Sequence, residues 1–257
     1  MKKYRGFLID LDGTVYRGTE KIEEAVTFVK ELERRNLPYL FVTNNSTKHP
    51  AKVAETLVEM GVPATADHVF TTSMATANFI YDEKADAKVY VIGEEGIRFA
   101  LKEKGFEIVE KDADYVVIGL DRSISYEKLV GATLNVNNGA RFIATNGDTA
   151  LVTERGLLPG NGSLVSVVTV ATGVQPTFIG KPESIIVEQA LEVLGTSKEE
   201  TIMVGDNYHT DILAGINAGI DSLLVHTGVT MKEHLKDIDI QPTFAIASLA
   251  EWVFDEK

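Results

Sequence analysis

The 257-residue sequence contains no cysteine, which excludes disulfides, thiolate nucleophiles and cysteine-based zinc sites. The same lack is typical of a reducing compartment, so we expect a cytoplasmic protein. Long apolar runs are also missing, because the first run, residues 7–9, stops at Asp10 and no later one approaches the roughly 20 residues that cross a bilayer. The sequence therefore predicts no membrane partner.

Basic residues are in the minority, with 25 Lys and Arg against 38 Asp and Glu, a net charge of −13. Proteins that bind nucleic acids rely on Lys and Arg against phosphate, so we predict no nucleic-acid partner. An acidic protein that handles a phosphorylated substrate must build its positive charge locally, from a metal ion or a single lysine.

Hydrophobic residues make up 44% and charged residues 25% of the chain, as in an ordinary folded protein. Short β-rich runs alternate with amphipathic helical stretches, a pattern that indicates an α/β fold with a parallel sheet. The predicted strands are residues 7–9, 39–42, 89–92, 115–118, 142–144, 177–179, 202–204 and 223–225. The predicted helices are residues 22–36, 51–60, 95–104 and 183–194.

Four polar clusters each follow a predicted strand directly: residues 10–14, 43–46, 180–181 and 205–211. Ligands bind at the carboxyl ends of the strands in an open parallel sheet. We therefore expect the four clusters to meet in one crevice, which would be a functional site.

The first cluster places the carboxylates of Asp10 and Asp12 two residues apart. In an extended segment such side chains share a face, so one can attack as a nucleophile while the other acts as general acid and base. The start of a calcium loop looks similar, but Thr14 and Lys21 occupy the positions where that loop needs further ligands. An acidic turn without chemistry is the remaining alternative.

Thr43, Asn44 and Asn45 offer a hydroxyl, amides and backbone N–H groups that could bind phosphoryl oxygens. A capped turn is the alternative for these residues. Lys181 stands between an apolar strand and a predicted helix, where its ammonium could hold a phosphoryl oxygen as a point charge. An ordinary surface lysine is the alternative there.

Asp206 and Asp211 follow another apolar strand. Carboxylate oxygens without cysteine or a histidine pair suit Mg²⁺ better than zinc. A helix N-cap formed by Thr210 or Asp211 is the structural alternative.

Four motifs resemble the signature of the haloacid-dehalogenase (HAD) superfamily: DxDGT, then Thr, then Lys, then GDxxxTD. They occur in this order, and each follows a predicted strand. The stretches TNNS at 43–46, GLDR at 119–122 and LLPGNGSL at 157–164 are similar to its NagD-like, or 4-nitrophenylphosphatase-like, branch. The resemblance covers essentially the whole chain.

The resemblance implies a Rossmann-like parallel-sheet core at residues 1–82 and 176–257, with an inserted α/β cap at residues 83–175. Asp10 would be the nucleophile and Asp12 the acid and base. Asp10, the backbone carbonyl of Asp12 and Asp206 would bind Mg²⁺, supported by Asp211. The phosphoryl group would be held by Thr43, Asn44, Asn45 and Lys181.

The implied activity is hydrolysis of small phosphomonoesters, such as sugar phosphates, nucleotide monophosphates or 4-nitrophenyl phosphate, through an aspartyl-phosphate intermediate. The cap would select the substrate. Residues 146–152 lack the histidine that related pyridoxal-phosphate phosphatases carry there, which disfavours a vitamin phosphate. A homo-oligomer formed through the cap is left open.

Two other protein classes use similar residues. A receiver-like signalling module also combines acidic residues, Mg²⁺, Thr and Lys, and it accepts a phosphoryl group without turnover. That design needs about half this length and has no purpose for Asp12. A dinucleotide-binding module is disfavoured because no G-x-G-x-x-G follows the first strand.

Overall fold

The computed structural model describes residues 3–153 and 155–254. Its strands are β1 (Gly6–Ile9), β2 (Tyr16–Arg17), β3 (Glu20–Lys21), β4 (Tyr39–Thr43), β5 (Val69–Thr71), β6 (Lys88–Ile92), β7 (Glu107–Ile108), β8 (Tyr115–Ile118), β9 (Arg141–Ala144), β10 (Ala150–Thr153), β11 (Gly156–Pro159), β12 (Thr177–Phe178), β13 (Thr201–Gly205), β14 (Asp221–Val225) and β15 (Phe244–Ile246). Its α-helices are α1 (Glu23–Arg34), α2 (Pro50–Glu59), α3 (Thr72–Glu83), α4 (Glu95–Glu103), α5 (Tyr126–Asn137), α6 (Asn161–Thr172), α7 (Ser184–Leu194) and α8 (Leu213–Ala218).

The chain divides into two compact units, of which the first contains residues 1–43, 51–70 and 181–257. Its six-stranded sheet has the order β15-β14-β13-β1-β4-β5. β1 pairs in parallel with both β13 and β4, and β14 pairs in parallel with β13 and β15. The chain thus builds the sheet outward from β1 in both directions, which makes the carboxyl end of β1 a topological switch point.

Burial explains why the central strands of this six-stranded sheet are largely apolar. Every residue of β1, β4 and β13 is buried. Helix α1 turns Ala25, Val26, Val29 and Leu32 toward the core at helical spacing, while its polar residues face solvent. In a sheet covered by helices the side chains of a strand are buried, so polar and apolar residues do not need to alternate along it. Such strands are therefore continuous hydrophobic runs in the sequence.

The second unit contains residues 44–50 and 71–180. Its sheet has the order β12-β9-β8-β6-β7, and all four pairings are parallel. Helices α3, α4, α5 and α6 belong to this unit, and a separate antiparallel hairpin joins β10 to β11. The predicted class, a parallel α/β core with a second α/β unit inserted in the chain, is confirmed.

The second unit reaches beyond residues 83–175 at both ends. Before residue 83, the unit includes residues 44–50 and all of α3, and within it the hydroxyl of Ser73 donates to the carbonyl of Ser46 at 3.1 Å. At the end, β12 pairs with β9 in the register Thr177 to Ile143. The strand predicted at 177–179, which the expected boundary placed in the core, therefore lies in the second sheet. That this unit selects the substrate stays a prediction.

All eight predicted strands and all four predicted helices are present within a few residues of their expected ends. Within residues 3–153 and 155–254, no helix combines the length and apolar character needed to cross a membrane.

Candidate active site

A tight turn at the end of β1 presents Asp10. The N–H of Asp10 continues the sheet by donating to the carbonyl of Val204 at 2.9 Å. The chain then folds back, with the N–H of Val15 donating to the carbonyl of Leu11 at 2.8 Å. Gly13 takes φ +93° in this turn, a conformation that favours glycine. The turn leaves Asp10 buried, next to the centre of the sheet.

Lys181 is a buried lysine whose three N–H donors all have acceptors. Its Nζ lies 2.5 Å from Asp10 Oδ1 and 2.7 Å from Asp211 Oδ1. The third acceptor is the carbonyl oxygen of Val42, at 2.9 Å. Only 2% of the residue is exposed. Because an ammonium has three donors and no acceptor, this environment fully satisfies it, and the surface-lysine alternative is wrong.

The structure corrects how Lys181 reaches the site. The sequence places it after a strand expected in the same sheet as Asp10, but that strand, β12, belongs to the second sheet. Lys181 is instead fixed in the first unit by the hydrogen bond to Val42 at the end of β4. A two-residue strand carries too little local signal to say which sheet it joins.

Asp206 and Asp211 complete the group. Asp206 follows β13, and its Oδ2 accepts a 2.6 Å hydrogen bond from the N–H of Val229. Asp211 lies in a wide, π-helical turn, Tyr208–Ile212, and its Oδ2 accepts from the N–H of Asn207 at 3.0 Å. The N-cap of this turn is Asn207, which accepts from the N–H of His209, and not Thr210 or Asp211.

One carboxylate oxygen from each of Asp10, Asp206 and Asp211 lies within 4.8 Å of the other two. All three residues are buried, and Lys181 is the cation that contacts two of them. Three carboxylates beside one ammonium leave two negative charges uncompensated. Two like charges 4 Å apart repel by roughly 4 kcal/mol at an effective dielectric of 20, so this group is costly without a further cation.

The pKa values show the same imbalance. Burial, followed by repulsion from Asp211, raises the pKa of Asp10 well above its usual range, although Lys181 opposes the shift. Burial and Asp211 raise the pKa of Asp206 to about 6, against the hydrogen bonds from Val229 and Thr14. Burial disfavours the charged form of Lys181, but Asp10 and Asp211 outweigh it and raise the pKa of the ammonium. A hard divalent cation fits this donor set of clustered carboxylate oxygens.

Asp12 differs from the buried acids because its side chain is exposed. Its backbone forms a bridge with Tyr16 in the turn after β1. Partial burial of the carboxyl raises the pKa of Asp12, against a hydrogen bond from the Gly18 backbone. A carboxyl group that keeps its proton more readily is suited to general acid catalysis. Its role as acid and base stays a prediction, as does the role of its carbonyl as a metal ligand.

Thr43 ends β4 in the first unit and is buried, whereas Asn44 and Asn45 belong to the second unit. Asn44 Nδ2 lies 3.2 Å from Asp148 Oδ2, and the carbonyl of Asn44 accepts from Asn146 Nδ2 at 2.8 Å. Asn45 Oδ1 accepts from both the N–H and the hydroxyl of Thr47, at 2.8 and 2.9 Å. The side chain of Asn45 thus caps a turn, as the alternative held. Phosphoryl binding by Thr43, Asn44 and Asn45 stays a prediction.

Two groups to which the sequence assigned no role contact the carboxylates. The hydroxyl of Thr14 lies 3.2 Å from Asp206 Oδ1 and 3.4 Å from Asp10 Oδ2. The N–H of Val229 belongs to the segment after β14. In the sequence, Val229 could have been identified from the run Thr227-Gly228-Val229-Thr230, because this run also follows a predicted strand.

Comparison with known proteins identifies the family of the chain. Residues 7–107 match the family model of haloacid dehalogenase-like hydrolases, and residues 178–252 match a HAD-hydrolase-like model. The chain is 65% identical to the 5'-nucleotidase YutF of Bacillus subtilis, over 98% of this chain and 99% of that protein. It is 52% identical to the acid sugar phosphatase of Staphylococcus haemolyticus, over 97% of this chain and 95% of that protein.

Solved structures show the same relationship. A double mutant of the thermostable NPPase from Geobacillus stearothermophilus has 58% identity and a TM-score of 0.94, over 99% of this chain and all of that one. NagD from Escherichia coli K-12 has 32% identity and a TM-score of 0.93, over 98% of this chain and all of that one. The chain therefore belongs to the haloacid dehalogenase-like hydrolases and is a phosphatase of their NagD-like branch.

Proposed function

We propose that this phosphatase hydrolyses phosphomonoesters of small metabolites in an Mg²⁺-dependent reaction, through a phosphate group carried covalently by Asp10. The observation that carries the proposal is the buried group in which Lys181 joins Asp10 to Asp211, with Asp206 alongside. Such a group concentrates positive and negative charge where phosphoryl transfer needs positioning and charge stabilisation.

In the first step, a carboxylate oxygen of Asp10 attacks phosphorus. Lys181 holds Asp10 Oδ1 at 2.5 Å, which orients the other oxygen, Oδ2, for the attack. The new bond joins Asp10 to phosphorus as the bond between phosphorus and the ester oxygen breaks. Asp12 gives its proton to that leaving oxygen, so the alcohol departs neutral and Asp12 becomes a carboxylate.

In the second step, the Asp12 carboxylate takes a proton from a water molecule, whose oxygen attacks phosphorus. The bond between phosphorus and Asp10 breaks, which releases inorganic phosphate and restores both side chains. One carboxyl group thus serves as acid and then as base, and each proton transfer is worth typically 10²–10⁴ in rate.

Asp10, the backbone carbonyl of Asp12 and Asp206 would hold Mg²⁺, with Asp211 nearby. When bound, the ion supplies the positive charge that offsets the excess of carboxylates and the charge of the phosphoryl group. Lys181 contributes a fixed positive charge beside Asp10 and Asp211, and Thr14 restrains both Asp10 and Asp206.

The names of the related proteins support the substrate class. They include a 5'-nucleotidase, an acid sugar phosphatase and an NPPase. We propose nucleoside monophosphates, sugar phosphates and 4-nitrophenyl phosphate as substrates. A cytoplasmic location and a homo-oligomer formed through the cap remain predictions of the sequence.

A panel of phosphomonoesters assayed with Mg²⁺ and with EDTA tests the proposal. We expect turnover in Mg²⁺ and none in EDTA or in the Asp10→Asn variant. A receiver-like module would instead accept one phosphoryl group per chain and release no further product. Turnover that persists in Asp10→Asn would refute Asp10 as the nucleophile.

The Asp12→Asn variant separates the two steps. An activated ester such as 4-nitrophenyl phosphate needs little help with its leaving group, so its first step should survive while hydrolysis of the aspartyl phosphate slows. We expect a burst of nitrophenol, about one per active site, and phosphate retained on Asp10 by intact-protein mass. Equal losses for activated and unactivated esters, with no covalent phosphate, would show that Asp12 is not the acid and base.

A further inference from the structure

The segment that follows β14, residues 226–230, is tied at its end to the chain that carries Asp206; we call it the 226–230 loop. The N–H of Thr230 donates to the carbonyl of Asp206 at 3.0 Å, and Thr230 Oγ1 accepts from the N–H of Tyr208 at 2.8 Å. His226 Nδ1 lies 2.9 Å from the carbonyl oxygen of Thr230, which closes the loop on itself. The loop therefore has a fixed conformation beside Asp206.

The same loop is also tied to the turn that carries Asp10 and Asp12. Thr227 Oγ1 donates to the carbonyl of Gly13 at 2.7 Å. Arg17 Nε donates to the carbonyl of Thr227 at 2.5 Å. Through Thr227, the loop connects the turn after β1 with the segment after β13, and these two segments carry the acidic residues of the site.

The carboxylate of Asp206 is enclosed between two glycines. A Cβ atom placed on Gly228 would overlap Asp206 Oδ2 and would lie 2.5 Å from Asp206 Cγ and 2.9 Å from Gly13 Cα. A Cβ atom on Gly13 would likewise overlap Oδ2 and lie 2.5 Å from Cγ. Each oxygen also accepts a hydrogen bond, Oδ2 from Val229 at 2.6 Å and Oδ1 from Thr14 at 3.2 Å. Hydrogen bonds at both oxygens therefore hold the carboxylate in the space that the two glycines leave.

We propose that the 226–230 loop is the positioning element that fixes the Asp206 carboxylate for a divalent cation. Gly228 leaves the space that the carboxylate occupies, and the N–H of Val229 sets its orientation before the cation arrives. A ligand that is already oriented loses less conformational freedom on binding, so the loop raises affinity without touching the ion. The inference rests on the proposed function only in taking Asp206 as a ligand.

The Gly228→Ala variant tests this directly. Gly228 lies outside the left-handed region of backbone conformation, so alanine adds no backbone strain of its own; its Cβ displaces Asp206 and presses on Gly13 of the neighbouring turn. Loss of a group that orients a metal ligand typically weakens metal binding 10- to 100-fold. We expect Mg²⁺ affinity, measured by calorimetric titration and by the Mg²⁺-dependent rise in Tm, to fall at least tenfold.

Gly195→Ala is the matched control for loss of stability. Gly195 ends α7 with φ +73°, and a Cβ atom there would meet open space. Alanine at such a position costs stability through backbone strain, yet it leaves Asp206 untouched. We expect this variant to have a lower Tm than wild type in EDTA and the wild-type affinity for Mg²⁺.

A second pair of variants keeps the test decisive if Gly228→Ala does not fold. Thr227→Val retains the shape of the side chain but removes the hydrogen bond to Gly13, whereas Thr227→Ser keeps the hydroxyl. We expect Thr227→Val to weaken Mg²⁺ binding several-fold and Thr227→Ser to retain it.

The outcomes separate this inference from the proposed function. Weakened Mg²⁺ binding in Gly228→Ala, with normal binding in Gly195→Ala, supports it; if Gly228→Ala does not fold, weakened binding in Thr227→Val with normal binding in Thr227→Ser supports it instead. Wild-type affinity in a folded Gly228→Ala, or in Thr227→Val where Gly228→Ala does not fold, beside a wild type that binds Mg²⁺, overturns this inference alone. A wild type that binds no Mg²⁺ overturns the metal assignment of the proposed function and this inference with it.

Discussion

Replacing Lys181 with methionine would remove the cation that joins Asp10 and Asp211 while keeping most of the buried volume. Deleting one partner of a buried ion pair costs about 3–5 kcal/mol, because the remaining charge is left uncompensated. Here two carboxylates, with oxygens 2.5 and 2.7 Å from Lys181 Nζ, lose their partner. We therefore expect the free energy of unfolding at pH 8 in EDTA to fall by the upper part of that range. For a chain of this size each kcal/mol lowers Tm by roughly 2–4 °C, which gives a fall on the order of 10 °C or more.

The loss of stability in Lys181→Met should depend on pH. In the wild type, the pKa values of Asp10 and Asp206 are raised on folding, to about 6 for Asp206, so the folded state binds protons more tightly than the unfolded state. The stability that this contributes is fully present below the unfolded pKa of about 4 and is lost as pH rises through about 6. Without Lys181 the same carboxylates titrate at still higher pH. Lys181→Met should therefore be closer to wild type at pH 5 than at pH 8.

Thermal and urea unfolding at pH 5 and pH 8, in EDTA, measure this effect. Lys198→Met is the control, because Lys198 forms an exposed pair with Glu188 at 3.4 Å, and such pairs contribute about 0–1 kcal/mol. If Lys181→Met were as stable as this control at pH 8, or lost equal stability at both pH values, the account of charge compensation at this site would be refuted.

Three further predictions concern Asp206, the pH dependence of Mg²⁺ binding, and Asn44. The Asp206→Asn variant should fold normally but lose Mg²⁺ affinity and activity. In EDTA at pH 8 it should be more stable than wild type, because one repelling charge is gone. Wild-type metal dependence and rate in this variant would exclude Asp206 as a ligand. Wild-type Mg²⁺ affinity, measured by calorimetry, should fall as pH is lowered through about 6, because protons compete for Asp206. Asp148→Ala removes an acceptor of Asn44 Nδ2, so KM for phosphomonoesters should rise more than kcat falls, and an unchanged KM would count against a role for Asn44 in binding.

Local sequence predicted the strands and the acidic motifs because both have short-range signals. Buried strands such as β1 and β4 are uninterrupted apolar runs, and each ends where a polar side chain begins. Helix α6 shows where this signal fails. Its residues are rich in Val and Thr, which intrinsically favour strands, and its tertiary packing overrides that preference. The two-residue strand β12 and the hairpin β10–β11 are likewise decided by their partners.

The sequence by itself determined which chemical groups are available. It places two acids after β1, two acids after β13 and Lys181 shortly after β12, and it contains no cysteine. Only the tertiary structure decided that Lys181 contacts two of these acids at once and that Asp12 stays exposed while Asp10 is buried. The structure also decided that Gly228 and the N–H of Val229 enclose Asp206. These features depend on backbone groups and on the space between segments that are distant in the chain. The sequence can show that a segment such as 227–230 follows a strand, but it does not show which side chain the backbone of that segment contacts.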